Sequence, residues 1–421
     1  MDEKANTPSI RFAGFTNTWE KRKLAEAFLF EVSNNTLSRA ALNYEEGEVK
    51  SVHYGDILIK YGAYIDTYQD DIPYITGGKS QDYTMQLLRE GDIIFADTAE
   101  DETAGKVSEI VRLNGDSVVS GLHTIVCRPL EKKAPYYLGY YLNSDSYHRQ
   151  LLPLMQGIKV LSLSRSNLVK TFIHYPQEEK EQAEIGTFFR ALDNLITLHQ
   201  HKHDKLVNIK KSMLEKMFPQ HGADVPEIRF AGFTDSWERR KVGDIVTDVE
   251  RPITMKDEKV YQLVTVKRRN EGVVSRGFLK GKDILVKNYF MIHEGDYLIS
   301  KRQVIHGANG YVPKELNYAV VSNEYMVAVS NEFVSSKFWV LMSKRREMYR
   351  MFLLSSYGVD IEKMVFNVDD WKKRFVMIPS MSEQNRIISF FENLDTLITL
   401  HQRKLTKLQN IKKSCLEKMF V

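Results

Sequence analysis

The chain has 421 residues, too many for one compact core, so two or three domains are expected. A net charge of only +4 gives no global sign of a nucleic-acid partner, so charge has to be read locally. Two cysteines, Cys127 and Cys415, exclude a disulfide framework, and no apolar run reaches the roughly 18 residues of a membrane-spanning helix.

The polar start, Met1–Ser9 with Asp2 and Glu3, does not read as a signal peptide, and a cytoplasmic protein is the default. An opening motif follows, IRFAGFTNTWEKRKL at Ile10–Leu24. The first body, 25–181, shows short apolar runs punctuated by turn residues. GDILI at Gly55, YITGGKS at Tyr74, EGDIIFAD at Glu90 and SVVSGLHTIVCRP at Ser117 predict strands. A helix is predicted from Pro135, PYYLGYYLNSDSYHRQLLPLM. Between Asp66 and Glu102, ten acidic residues are set against Lys79 and Arg89. The loop DTAEDET at Asp97–Thr103 lacks the glycine and bidentate-glutamate spacing of a calcium loop and reads as an acidic loop. Candidates for contact with DNA in this body are Lys60, Tyr61, Tyr64, Thr76, Lys79, Lys106, His123, Lys159 and Arg165.

The segment after the first body has no proline and, after Gly186, no glycine before Pro219. Phe188, Leu192, Leu195, His199, Lys202, Leu206, Ile209 and Met213 recur at 4-3 spacing, a heptad seam. At about 1.5 Å per residue the helix spans roughly 50 Å. Pro219 ends it, and Gln220–Pro226 reads as a linker.

The chain then repeats itself. IRFAGFTDSWERRKV at Ile228–Val242 matches the opening motif at 11 of 15 positions. The second body, 243–383, has no obvious alignment with the first. VYQLVTV at Val260, HEGDYLIS at His293 and YAVVSNEYMVAV at Tyr318 predict strands; FVSSKFWVLMSKRREMYRMF from Phe333 predicts a helix. Residues 267–302 hold nine basic side chains against four acidic ones, with aromatics interleaved. Lys267, Arg268, Arg269, Arg276, Lys280, Lys282, Lys287, Lys301 and Arg302 suit phosphate contacts; a solvated charged face fits equally. The last segment matches the first helix at 25 of 37 positions, 384–420 against 182–218. Its seam is Phe390, Leu394, Leu397, His401, Lys404, Leu408, Ile411 and Cys415.

A duplication left to drift would drift evenly, whereas here the opening motifs and helices are kept and the bodies are not. The bodies therefore do different jobs and the helices do one job twice. The fold class is α+β: two mixed globular domains joined by two long antiparallel coiled-coil helices around a pseudo-two-fold axis. His199 with His401, and Lys202 with Lys404, read as polar layers fixing register rather than as a metal or proton site. His201 and His203 have no counterpart in the second copy and are expected to face solvent. There is no phosphate-binding GxxxxGK[ST] loop, no paired-cysteine zinc site, no methyl-donor loop with an NPPF- or DPPY-like tetrapeptide, and no carboxylate cluster shared by both bodies.

These residues resemble one family closely: the paired opening motifs, the GD strand-loops, the EKEQ block running to Asp193, and the repeated ITLHQ and NIKKS helices. The chain is similar, over nearly its whole length, to the specificity subunit of type I restriction-modification systems. The resemblance implies two target recognition domains, each reading half of a bipartite asymmetric DNA sequence. It implies helices that set the spacer and dock two adenine methyltransferase subunits, with restriction subunits joining for cleavage. S-adenosylmethionine, ATP and Mg2+ would belong to those partners, and the chain itself would be non-catalytic. The implied boundaries are 1–180 and 220–382 for the recognition domains and 181–219 and 383–421 for the helices. A two-domain protein-binding scaffold without DNA recognition is the alternative.

Overall fold

The computed structural model describes residues 6–220, 222–286 and 288–421. The first five residues, His221 of the linker and Lys287 of the basic stretch lie outside the described residues. Two compact units form, 1–201 with 402–421 and 202–401, each an α+β assembly.

In the first unit a five-stranded sheet runs in the order Phe28–Leu29, Thr124–Pro129, Ile93–Ala96, Val107–Arg112, Tyr64–Asp66. In the second unit a four-stranded sheet runs Thr247–Asp248, Tyr325–Val329, Tyr297–Ser300, Asn309–Tyr311. The first four positions of the two sheets follow the same scheme, although the sequences that build them have diverged. Each sheet has a strand that starts from an EGD turn, for a shared physical reason. Gly91 and Gly295 sit at φ of 91°, a left-handed conformation that favours glycine. The following Asp92 and Asp296 accept the turn's N–H from Arg89 and His293, each at 2.8 Å. Each buried carboxylate is then neutralised by an arginine, Arg128 or Arg251, through two hydrogen bonds.

GDILI at Gly55 is a helical turn, Tyr54–Ile59, not a strand. His53 caps it by accepting the Gly55 N–H, and Arg39 neutralises the buried Asp56. The remaining predicted strands form, and both predicted body helices break in two, Tyr137–Leu142 with Asp145–His148 and Ser336–Ser343 with Arg346–Leu354.

Two 38-residue helices, α1 (Glu179–Lys216) and α2 (Met381–Lys418), carry the repeat. Each would be about 57 Å long. The first half of α1 and the second half of α2 belong to the first unit, and the first half of α2 and the second half of α1 to the second. In the first unit Lys412 of α2 pairs with Asp193 of α1 at 2.6 Å, and in the second Lys210 of α1 pairs with Asp395 of α2. Those pairs are repeat-equivalent, and within each unit the two helix segments run antiparallel.

The kept residues are the joints of each unit. Arg11 donates two hydrogen bonds to the buried Glu181 at 2.5 and 2.7 Å; Arg229 does the same to Glu383 at 2.7 and 2.8 Å. The backbone N–H of Ile10 bonds the Lys418 carbonyl, and that of Ile228 bonds the Lys216 carbonyl. Trp19 packs edge-on against Phe420, and Trp237 against Phe218. Buried Gln182 and Gln384 donate to the carbonyls of Pro176 and Pro379. Each opening motif thus locks onto one helix start and one helix end. A buried carboxylate or tryptophan in such a joint has few substitutes, which explains why these segments drifted least.

Candidate nucleic-acid interface

In the first body the structure separates the expected contact residues into structural and exposed sets. Tyr61 is in the core, its hydroxyl on the Asp71 carbonyl, and Tyr64 packs edge-on against Tyr136 and Tyr140. Burial pushes both phenols up; Tyr61 is closed off from solvent, while Tyr64 stays part-exposed. Lys106 is half-buried; its ammonium bonds the Leu58 carbonyl at 2.8 Å, and burial followed by Lys412 lowers its pKa. These three read as surface residues in the sequence because a lone aromatic or lysine between strands gives no sign of which face it takes. Lys60 bonds the Asp71 carbonyl and lies over the Tyr44 ring. Thr76, Lys79, Lys159 and Arg165 are exposed, with Arg165 over the Phe30 ring. His123 is exposed at φ 57°, 3.4 Å from Asp97 and edge-on to Tyr54. A non-glycine residue held in the left-handed region is a costly placement that often marks a functional loop.

The basic stretch of the second body is two patches, not one. Lys267, Arg268 and Arg269 stand at the turn between the strands Val260–Lys267 and Gly272–Lys280. Lys280 and Lys282 stand at the other end of that hairpin, roughly 25–30 Å away by strand rise. Several carry carboxylate partners: Arg268 with Glu362, Lys280 and Lys282 with Glu258, Arg302 with Glu324, Lys267 with Glu271. Arg276 is exposed on the hairpin, and Lys301 is tied by its ammonium to the Asn323 carbonyl. Arg269 and Asn270, both at positive φ, donate their backbone N–H groups to the carbonyls of His306 and Gly307, which brings the turn beside the 3-10 helix Val304–His306. Surface ion pairs of this kind are worth little and break readily when a phosphate competes.

A family profile described as the type I restriction modification DNA specificity domain matches residues 16–208 and again 234–410. The chain belongs to that family. A curated relative from Methanocaldococcus jannaschii, named as a type I restriction enzyme specificity subunit, is 23% identical over 94% of this chain and 91% of its own length. The crystal structure of a type I restriction-modification S subunit from M. genitalium shares the fold, with a TM-score of 0.57, 13% identity and 99% of each chain covered. The HsdS subunit from Thermoanaerobacter tengcongensis aligns with a TM-score of 0.48 at 15% identity over 97% of this chain and 98% of that one. Specificity subunits of type I systems are non-catalytic, with catalytic activity in partner subunits.

The two specificity domains can be compared at one equivalent place. The Leu163 N–H bonds the Asp97 carbonyl at 2.7 Å, and the Phe366 N–H bonds the Lys301 carbonyl at 2.7 Å. The loop after that strand is acidic in the first domain, Asp97–Thr103, and begins Lys301-Arg302 in the second. The two segments also stand at one offset from the shared EGD turn, Asp97 seven residues after Glu90 and Lys301 seven after Glu294, a local signal that would have paired them although the rest of the bodies does not align.

The helices of the specificity subunit also correct the sequence reading. Leu195 and Leu397, assigned to the seam, are each 43% exposed. Lys202, Lys404 and Ile411 are exposed as well. The inward face instead follows Ile185, Phe189, Leu192, Ile196 and His199, and in α2 Ile387, Phe391, Leu394, Ile398, His401 and the buried Leu405. His203 occupies the position equivalent to Leu405 and is largely covered, beside Asp204, so it does not face solvent freely. Leu206, Leu408, Ile209 and Met213 remain partly buried. Successive helix residues differ by about 100°, so taking 195 in place of 196 puts an outward-facing residue into the seam. What the turn leaves outside is a repeated apolar pair, Leu195 with Leu198 and Leu397 with Leu400, all exposed. Among the described residues no group of three or more His, Cys, Asp and Glu is placed to hold a metal ion, and no helix is long and apolar enough to cross a membrane.

Proposed function

We propose that the chain is the DNA-reading subunit of a type I restriction-modification complex, with each body reading one half of a bipartite, asymmetric target. The observation that carries this is the contrast between joints and loops. Arg11–Glu181 and Arg229–Glu383 hold two bodies identically, while the loops at the equivalent place, 97–103 and 301–306, carry opposite charge. A reader of one repeated site would keep its loops. Lys and Arg suit guanine edges and phosphates; Asp and Glu can accept from cytosine amino groups. The recognition domains are taken as 1–180 and 220–382, with 181–219 and 383–421 as the spacer helices.

In this reading α1 and α2 set the distance between half-sites. The duplicated outer leucines, with the ITLHQ and NIKKS segments at 196–212 and 398–414, dock two adenine methyltransferase subunits. Restriction subunits join that core. S-adenosylmethionine, ATP and Mg2+ are carried by the partners, and the complex acts in the cytoplasm.

The test is binding of the purified chain to genomic duplex fragments across a salt series, followed by mapping of modified adenines in the source genome. Phosphate contacts release counterions, so log affinity falls linearly with log salt. Binding that ignores salt, or no preference for fragments carrying the modified motif, would favour the protein-binding scaffold instead.

A further inference from the structure

Each body carries a hairpin that neither the repeat nor the charge pattern explains. In the first it runs between Gln156 and Ser162, closed by two backbone hydrogen bonds of 2.9 and 2.8 Å. In the second it joins the paired strands Ser356–Tyr357 and Val365–Phe366. Both follow the body's helix pair, and both precede the strand that pairs with the opening motif, Phe172–Tyr175 or Phe375–Ile378. The two sequences differ, QGIKVLS and YGVDIEK, yet both read glycine, apolar, any residue, apolar.

The glycines are required. Gly157 sits at φ 121°, and a Cβ there would lie 1.9 Å from the Val160 carbonyl oxygen. A Cβ on Gly358 would lie 2.8 Å from the Met364 Cα. The tight turns push the next side chain fully into solvent: Ile158 is 100% exposed and Val359 104%. Val160 and Ile361 stand beside them, also exposed. These side chains are apolar, β-branched and stiff at χ1, and they contribute nothing to the core.

The neighbours indicate the occupant. The first hairpin pairs with Thr98–Ala99, within the acidic loop, and carries Lys159. The second touches Arg268 and His306 through Glu362 and carries Lys363. Both tips therefore stand next to the loops whose charge differs between the bodies. Groups that read base edges must differ when the half-sites differ. An apolar group placed between base pairs reads no hydrogen-bond code and can stay the same. A shared protein partner would select identical residues, as proposed for the helices; here only apolar bulk at fixed spacing is kept.

We propose that the Ile158–Val160 and Val359–Ile361 tips are apolar wedges that enter the groove and unstack a base step beside the half-site each body reads. The inference rests on the DNA-reading function proposed above. Wedges of this kind partly unstack a step and kink the duplex, which lets more of a protein surface engage.

The test uses the full chain alone, with no methyltransferase present to flip a base, and a duplex carrying the mapped target. 2-Aminopurine is placed at successive positions around each half-site. Wild type is expected to raise its fluorescence at one step beside each half-site. The double variant Ile158→Ser/Val160→Ser should abolish the rise at the first half-site only and weaken binding by about tenfold, with sequence preference unchanged. Val359→Ser/Ile361→Ser should do the same at the second. The substituted side chains are exposed, so unfolding midpoints should not move. Wild-type binding without a fluorescence rise at any step would overturn the wedge, as would variants that keep both signal and affinity. Variants that keep both but no longer co-purify with a methyltransferase would assign the tips to a protein interface and equally end the proposal. Absence of salt-dependent binding by wild type would refute the DNA-reading function itself, a separate result.

Discussion

Phe420 is the penultimate residue of the chain, yet its ring is buried in the first body. It meets Trp19, Tyr137, Tyr141 and Phe189 at centroid separations of 6.4, 6.1, 5.6 and 5.6 Å. Phe420→Ala removes a large ring from a packed cluster, where such truncations cost about 3–5 kcal/mol. For a unit of this size, about 2–4 °C per kcal/mol, the first unit should lose roughly 10 °C in its unfolding midpoint. The repeat-equivalent Phe218 packs on Trp237 and Phe338 at 5.6 and 5.7 Å, so Phe218→Ala should cost the second unit a similar amount. Calorimetry would register the shift, and hydrogen exchange would assign it. Phe420→Ala should lower protection of peptides around Trp19–Phe30 and Tyr137–Tyr147 and spare those around Trp237 and Phe338. If Phe420→Ala instead loosened the second unit, or changed neither, the joint described for the helix ends would be wrong.

Glu109 is fully buried against the N–H groups of Tyr136 and Gly139, and burial lifts its pKa from 4.5 to about 7. An acid raised on folding holds its proton longer in the folded state, so stability should fall as pH rises from about 4.5 to 7, by up to about 3 kcal/mol, and level off above. Glu109→Gln should flatten that decline in urea titrations at pH 5 and 7.5; an unchanged slope would count against a buried neutral acid. Replacing 243–381 with the body of a relative should change one half of the modified sequence only, read by mapping methylated adenines; a change in both halves would refute independent readers. Inserting one heptad after Leu206 and after Leu408 adds about 10 Å per helix, or roughly three base pairs, and keeps the seam phase. The preferred spacer, read on a randomised-spacer library, should lengthen accordingly, and an unchanged spacer in an active insertion variant would show that the helices are not the ruler.

What the sequence determined by itself is what repeats or recurs locally. Arg11 and Arg229, Glu181 and Glu383, Trp19 and Trp237 could be paired as equivalents before any fold was known, because a duplicated joint leaves duplicated residues. The two long helices were legible for the same reason, with α-helical period and no proline inside them to interrupt it. Tertiary structure decided whatever depends on a choice between near-equal neighbours. Leu195 and Ile196 are both apolar and one residue apart, and only packing selects Ile196 for the inward face. GDILI has strand-forming residues, but burial of Asp56 against Arg39 favours a helical turn. Contiguous basic residues from Lys267 to Lys282 look like one patch until a hairpin separates its ends by the length of its strands. The equivalence of the two apolar tips lies in hydrogen bonds between distant segments, from Leu163 to Asp97 and from Phe366 to Lys301. No local pattern encodes such bonds, so they become visible only once the sheets are assembled.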